Sequence, residues 1–229
     1  MRLYLSSFRL GTQPQHLRRL IGEGESVAVI ANAIDGEPGQ ARADKVAAEM
    51  RALRSLGLPA AEVDLRDLRG ASPSETRSVL RTYQALWVRG GNVFLLRAAL
   101  ALCGGDEAVR RLLAEDAVVY AGYSAGPCVL GPSLAGLERV DDASLPQTMG
   151  LGGPWTDGLG VLAERFVPHV SSPSHPSSLA LDAVARGYAE EGIAYVGLRD
   201  GEALLVDGDR REVVGRPTST EELMAAYPP

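Results

Sequence analysis

Residues 117–127 read A-V-V-Y-A-G-Y-S-A-G-P. The first four are apolar and largely β-branched, and they follow Glu115 and Asp116 at the end of a helical pattern. Such a run marks a buried strand of a parallel sheet. Gly122-Tyr123-Ser124-Ala125-Gly126 then sets two glycines symmetrically about one hydroxyl. A serine nucleophile needs a sharp strand-to-helix turn that lifts its Oγ clear of the backbone, and glycines two residues away on either side leave room for it. The N–H of Ala125 would then be free to donate to an oxyanion. The competing reading is a glycine-rich strand end with an incidental serine; the strand that precedes it favours the nucleophile.

Working outward, apolar runs at 2–6, 27–31, 61–65 and 85–88 alternate with helical spacing at 13–21, 41–56, 74–82 and 93–102. Gly57 is a C′ stop for the second of these helices. This alternation predicts an α/β fold with a mainly parallel sheet flanked by helices. Residues 131–160 carry repeated Gly and Pro and read as a long functional loop. Beyond it come a strand-like run at 162–170, a helix at 179–190, and strands at 193–197, 203–206 and 212–214. Asp207-Gly208-Asp209 makes a hairpin of the last two, which predicts antiparallel strands at one sheet edge. A terminal helix follows at 220–226. No linker or repeat divides the chain, so one domain over residues 1–229 is expected.

Composition excludes several classes of function. The 23 Lys and Arg are scattered through a chain of net charge −6, so nucleic acid has no basic footprint to bind. No apolar run approaches about 18 residues, so no membrane span is expected. The start reads as a first strand rather than a signal peptide. Two cysteines, Cys103 and Cys128, make no disulfide framework and fit a reducing cytoplasm. Three histidines without a Cys/His cluster give no metal site, and no cofactor motif is complete.

An activated serine needs a base, and the base needs an orienting acid. His169 stands at a strand end after Pro168 and is the candidate base; His175, in a Pro/Ser loop, is the alternative, and His16 reads as a surface residue. Asp200 follows a strand and precedes Gly201, which makes it the candidate acid, with Asp141, Asp142 and Asp182 as alternatives. Arg89-Gly90-Gly91-Asn92 joins the fourth strand to a helix, and paired glycines let backbone N–H groups face a cavity. Gly90, Asn92, Tyr123 and His175 are expected to contact substrate.

Four motifs in order, V-R-G-G-N-V-F (88–94), G-Y-S-A-G (122–126), V-P-H (167–169) and G-L-R-D-G (197–201), give the chain a resemblance to the peptidase E (aspartyl dipeptidase) family of serine peptidases, relatives of the cyanophycinases. The resemblance covers residues 1–206 and implies a class I glutamine-amidotransferase-like fold. It also implies Ser124 as nucleophile, His169 as base and Asp200 at the acidic position, with Gly91 and Ala125 as oxyanion donors. Asp in place of a family Glu shortens the side chain by one methylene, which the backbone would have to absorb. The family's Glu-Thr-Arg segment, whose arginine pairs with a substrate aspartate, is missing: residues 175–180 read H-P-S-S-L-A. Arg89 or Arg199 would have to approach from another direction.

The expectation is therefore a serine exopeptidase on short peptides, without strict N-terminal Asp specificity, free or as a homodimer or larger homo-oligomer. An amidase of cyanophycinase type and a non-catalytic binding module on the same fold are the alternatives.

Overall fold

The computed structural model describes residues 1–226. Seven strands form one sheet in the order β3-β2-β4-β5-β1-β8-β9. They are β1 (Arg2–Ser6), β2 (Val27–Ile30), β3 (Ala60–Glu62), β4 (Ala85–Val88), β5 (Val119–Tyr123), β8 (Glu202–Asp207) and β9 (Arg210–Gly215). β1 to β5 run parallel, and β8 and β9 are antiparallel additions beside β1. The mainly parallel α/β sheet with an antiparallel edge is thus the observed architecture.

Alternation along each strand divides the apolar residues between the two faces. Leu3, Leu5, Ala28, Ile30, Leu86 and Val88 join one core. It is completed by helices α4 (Val93–Leu102), α5 (Gly105–Ala114) and α8 (Ser178–Glu190). Tyr4, Val27, Val29, Ala85, Trp87, Val119 and Ala121 join the other, covered by α1 (Gln15–Ile21) and α2 (Gly39–Ser55). Burial on both faces explains why the strands read as near-continuous apolar runs.

Local signals account for the helix ends. Ser72 and Glu75 form a capping box at the start of α3 (Pro73–Leu80), and Gly57, at φ 78°, follows the end of α2. The remaining helices are one turn each at α6 (Ala125–Cys128) and α7 (Leu145–Thr148), and α9 (Thr220–Ala226).

Three expectations change. The strand-like run at 162–170 shrinks to β6 (Arg165–Val167), and that at 193–197 to β7 (Tyr195–Gly197). These two pair in parallel as a separate small sheet instead of extending the main one. Pro168, which has no N–H to donate, follows β6 directly. The 61–65 strand is Ala60–Glu62, and Leu65 opens a 3₁₀ turn capped by Asp64. Among the described residues no helix is long and apolar enough to cross a membrane.

Candidate active site

Ligand sites of open α/β sheets lie beyond the carboxyl ends of the parallel strands. Here the ends of β1, β4 and β5 deliver Ser7, Arg89 and Ser124. Ser124 sits between β5 and α6 with φ 53° and ψ −108°, a strained conformation for a residue with a side chain. The flanking glycines are required by β4. A Cβ on Gly122 would fall 2.2 Å from the Val88 carbonyl oxygen, and one on Gly126 would fall 2.4 Å from the same atom. The Tyr120 hydroxyl donates to the Gly126 carbonyl at 2.8 Å and ties the turn down.

The small sheet delivers the other two groups. Val167 and Gly197 are register partners, so the chain segments beyond them emerge side by side. The Val170 N–H donates to the Leu198 carbonyl at 3.0 Å and keeps them together. His169, at φ 58°, and Asp200 both follow from this pairing. His169 Nε2 lies 3.2 Å from Ser124 Oγ, and its Nδ1 lies 2.6 Å from Asp200 Oδ1. Ser124 is half-buried, whereas His169 and Asp200 are buried.

Three hydroxyls hold Asp200 and His169. Ser7 Oγ donates to Asp200 Oδ1 at 2.9 Å and accepts from the His169 N–H at 2.8 Å. Thr220 Oγ1, from α9, donates to Asp200 Oδ2 at 2.8 Å. Ser172 Oγ accepts from the Asp200 N–H at 2.8 Å. Burial pushes the Asp200 carboxyl up, but the bonds and charge of His169, with Thr220 and Ser7, outweigh it and hold the group below the usual range. An Asp at this position therefore reaches the imidazole without a longer side chain.

The other candidate acids are engaged elsewhere. Asp141 Oδ2 accepts from the Val93 N–H at 2.8 Å, Asp142 Oδ1 from the Ser144 N–H at 2.9 Å, and Asp182 Oδ1 from the Ser171 N–H at 2.8 Å. His16, on α1, has its Nε2 3.2 Å from Gln13 Oε1, in the turn before that helix. His175 is beside the site: its ring stacks on His169 with centroids 3.5 Å apart.

Gly90 and Gly91 lie where the loop after β4 meets the serine turn. A Cβ on Gly90 would come 3.0 Å from Ser124 Cβ, and one on Gly91, at φ 147°, would come 2.6 Å from the Ala33 carbonyl oxygen. Among the described residues the N–H groups of Gly91 and Ala125 have no acceptor.

Asn92 and Tyr123, expected to contact substrate, have their polar atoms bonded within the fold. Asn92 caps α4, accepting from the N–H groups of Phe94 and Leu95 at 2.9 and 3.0 Å while donating to the Asp142 carbonyl at 3.0 Å. The buried Tyr123 hydroxyl donates to Glu49 at 2.7 Å. That carboxylate also accepts from Trp87 Nε1 at 2.9 Å and pairs with Arg9 and Arg89 at 3.4 and 3.2 Å. Sequence reasoning missed Ser7, Phe8, Glu49, Ser172 and Thr220. Ser7 directly follows the apolar strand β1, but a lone hydroxyl there carries no pattern of its own.

Both cysteines are buried and free. Burial raises each thiol, that of Cys128 well above its ordinary value with help from the nearby Asp141. Neither has the depressed pKa of a reactive thiolate. Among the described residues no group of three His, Cys, Asp or Glu could hold a metal ion.

The family model for peptidase family S51 matches residues 13–214. An uncharacterized peptidase of Listeria monocytogenes is 33% identical over 96 residues, which is 42% of this chain and 45% of that protein. Peptidase E of Streptomyces coelicolor is 29% identical over 135 residues, 57% of this chain and 52% of that protein. The chain thus spans about half the length of these curated relatives. A crystal structure from Listeria monocytogenes, provisionally assigned as a peptidase E, superposes with a TM-score of 0.75 at 23% identity, covering 94% of this chain and 98% of that one. Its fold is shared. With its family model matched over most of its length, and with the serine turn set at the end of β5, the chain belongs to peptidase family S51.

Proposed function

We propose that the chain is a serine exopeptidase that hydrolyses short peptides through Ser124, His169 and Asp200. The observation that carries this reading is the hydrogen-bonded series from Ser124 Oγ to His169 Nε2 at 3.2 Å and from His169 Nδ1 to Asp200 at 2.6 Å. A nucleophile, a base and an orienting carboxylate in that sequence suit acyl transfer. Ser124 Oγ attacks the scissile carbonyl carbon as its proton passes to His169 Nε2. The N–H groups of Gly91 and Ala125 receive the developing oxyanion. His169 then returns the proton to the departing amine, and water repeats the sequence to free the acyl group. Asp200 holds the ring with its proton on Nδ1, so that Nε2 faces the serine.

An N-terminal aspartate is not required in this reading. Arg89 pairs with Glu49 and donates to the Gly90 carbonyl at 2.6 Å, and Arg199 pairs with Glu202 at 3.0 Å. Both arginines near the site in sequence are therefore already engaged. The two free cysteines suit a cytoplasmic setting.

A library of dipeptides and tripeptides, followed by mass spectrometry, tests the proposal. Hydrolysis by the wild type of several peptides beyond those beginning with Asp, lost in Ser124→Ala, is the expected result. No cleavage of any member, or equal cleavage by both proteins, would refute it.

A further inference from the structure

Two imidazoles lie face to face beside Ser124. The rings of His169 and His175 are 3.5 Å apart at their centroids with 3° between their planes. Phe8 presents an edge to each, at 5.8 Å from His169 and 5.5 Å from His175. The Ser177 N–H donates to His175 Nδ1 at 3.2 Å. An Nδ1 that accepts must be unprotonated, so the ring is neutral and carries its hydrogen on Nε2.

The His169 ring is fixed at its rim by Asp200 and Ser124, and rotation about the bond to an aromatic ring is broad and soft. Its face must be packed if Nε2 is to stay aimed at the serine. The face of an aromatic ring also attracts a cation. We propose that His175 is a positioning residue, a neutral plate that holds the His169 ring in the plane joining Asp200 to Ser124 and stabilises the imidazolium formed when Ser124 gives up its proton. This rests on the reading of Ser124 as the nucleophile.

The surroundings keep the plate uncharged. Burial first, and the adjacent His169 second, push the His175 pKa down to about 4, against the opposing pull of Asp200. On the β1 side the facing groups are Phe8 and then Arg9, whose guanidinium lies 5.7 Å from the Phe8 ring centroid. That guanidinium is paired with Glu49 at 3.4 Å, so the charge facing His175 from this side is already balanced. From its own loop His175 meets the Ser177 N–H, a donor that also disfavours protonation of Nδ1.

The test is the rate at which a fluorophosphonate labels Ser124, measured by intact mass at several probe concentrations for wild type, His175→Ala and His175→Phe. In labelling, the Ser124 Oγ–P bond forms, the P–F bond breaks with loss of fluoride, and the serine proton passes to His169. The limiting rate of His175→Ala should fall between about 2- and 30-fold, with the half-saturating concentration unchanged. His175→Phe, a flat ring that cannot ionise, should recover most of that rate. Should the alanine variant fail to fold, His175→Gln, which lacks an aromatic face, takes its place.

Wild-type rates in His175→Ala would overturn the proposal. So would equal slowing in the Phe and Ala variants, which would assign the effect to Nε2–H. A change confined to half-saturation would make His175 a ligand contact and overturn it too. A wild type that does not label at Ser124 removes the underlying reading as well, and so is distinguishable from failure of the plate alone.

Discussion

The His169 ring and the Asp200 carboxylate meet at 2.6 Å beneath the surface, and the carboxylate is fully buried. Its two oxygens are occupied by His169, Ser7 and Thr220. Asparagine at this position would fit the space but would favour the wrong tautomer of the imidazole. Asp200→Asn should lower kcat by roughly 10²–10⁴ with little change in KM. Asp141→Asn and Asp142→Asn should be far milder, because those carboxylates serve Val93 and Ser144. Steady-state kinetics on a cleaved peptide decide this, and near-normal turnover in Asp200→Asn would remove it from the mechanism.

Asp141 makes a separate prediction about stability. Burial raises its pKa to about 6 from an ordinary 3.8, despite the Val93 N–H it accepts at the start of α4. Desolvation therefore outweighs the favourable helix end. The folded state binds this proton more tightly than the unfolded chain, so the group costs stability as pH rises from about 4 to about 6, and that cost persists above. Asparagine keeps an oxygen for Val93 without the charge. Asp141→Asn should be more stable than wild type at pH 7.5, by up to about 3 kcal/mol, and the gain should vanish near pH 4. Urea unfolding at both pH values measures it; a variant less stable than wild type at pH 7.5 would contradict the argument.

Glu49 is the hub of the face opposite α4. Arg9, Arg89, Tyr123 and Trp87 all converge on its buried carboxylate. Removing it strands two guanidiniums and two neutral donors in the interior. Glu49→Ala should cost about 3–5 kcal/mol, read from the shift in denaturation midpoint at constant slope. A cost below about 1 kcal/mol would mean that water replaces the carboxylate.

Much of the geometry around Ser124 is legible in the sequence. The glycines of the serine turn were legible because each answers a steric demand, in this case the Val88 carbonyl oxygen. His169 and Asp200 were legible as polar residues at strand ends. Their partners were not. Ser7 lies 193 residues from Asp200 in the chain, and Thr220 arrives from the terminal helix. A lone hydroxyl carries no local pattern that announces such a meeting. Asn92 shows the reverse case: its polar side chain before a helix suggested a ligand contact, yet capping α4 already satisfies its amide. The pairing of β6 with β7 was hidden because strands of three residues leave little periodicity to read.

The most direct test of the account is the location of a covalent adduct. Wild-type protein exposed to a fluorophosphonate is digested and mapped by mass spectrometry beside Ser124→Ala and His169→Ala. The account predicts one adduct per chain, on Ser124, absent from Ser124→Ala and strongly slowed in His169→Ala. An unmodified wild type, or an adduct on any other residue, would contradict it.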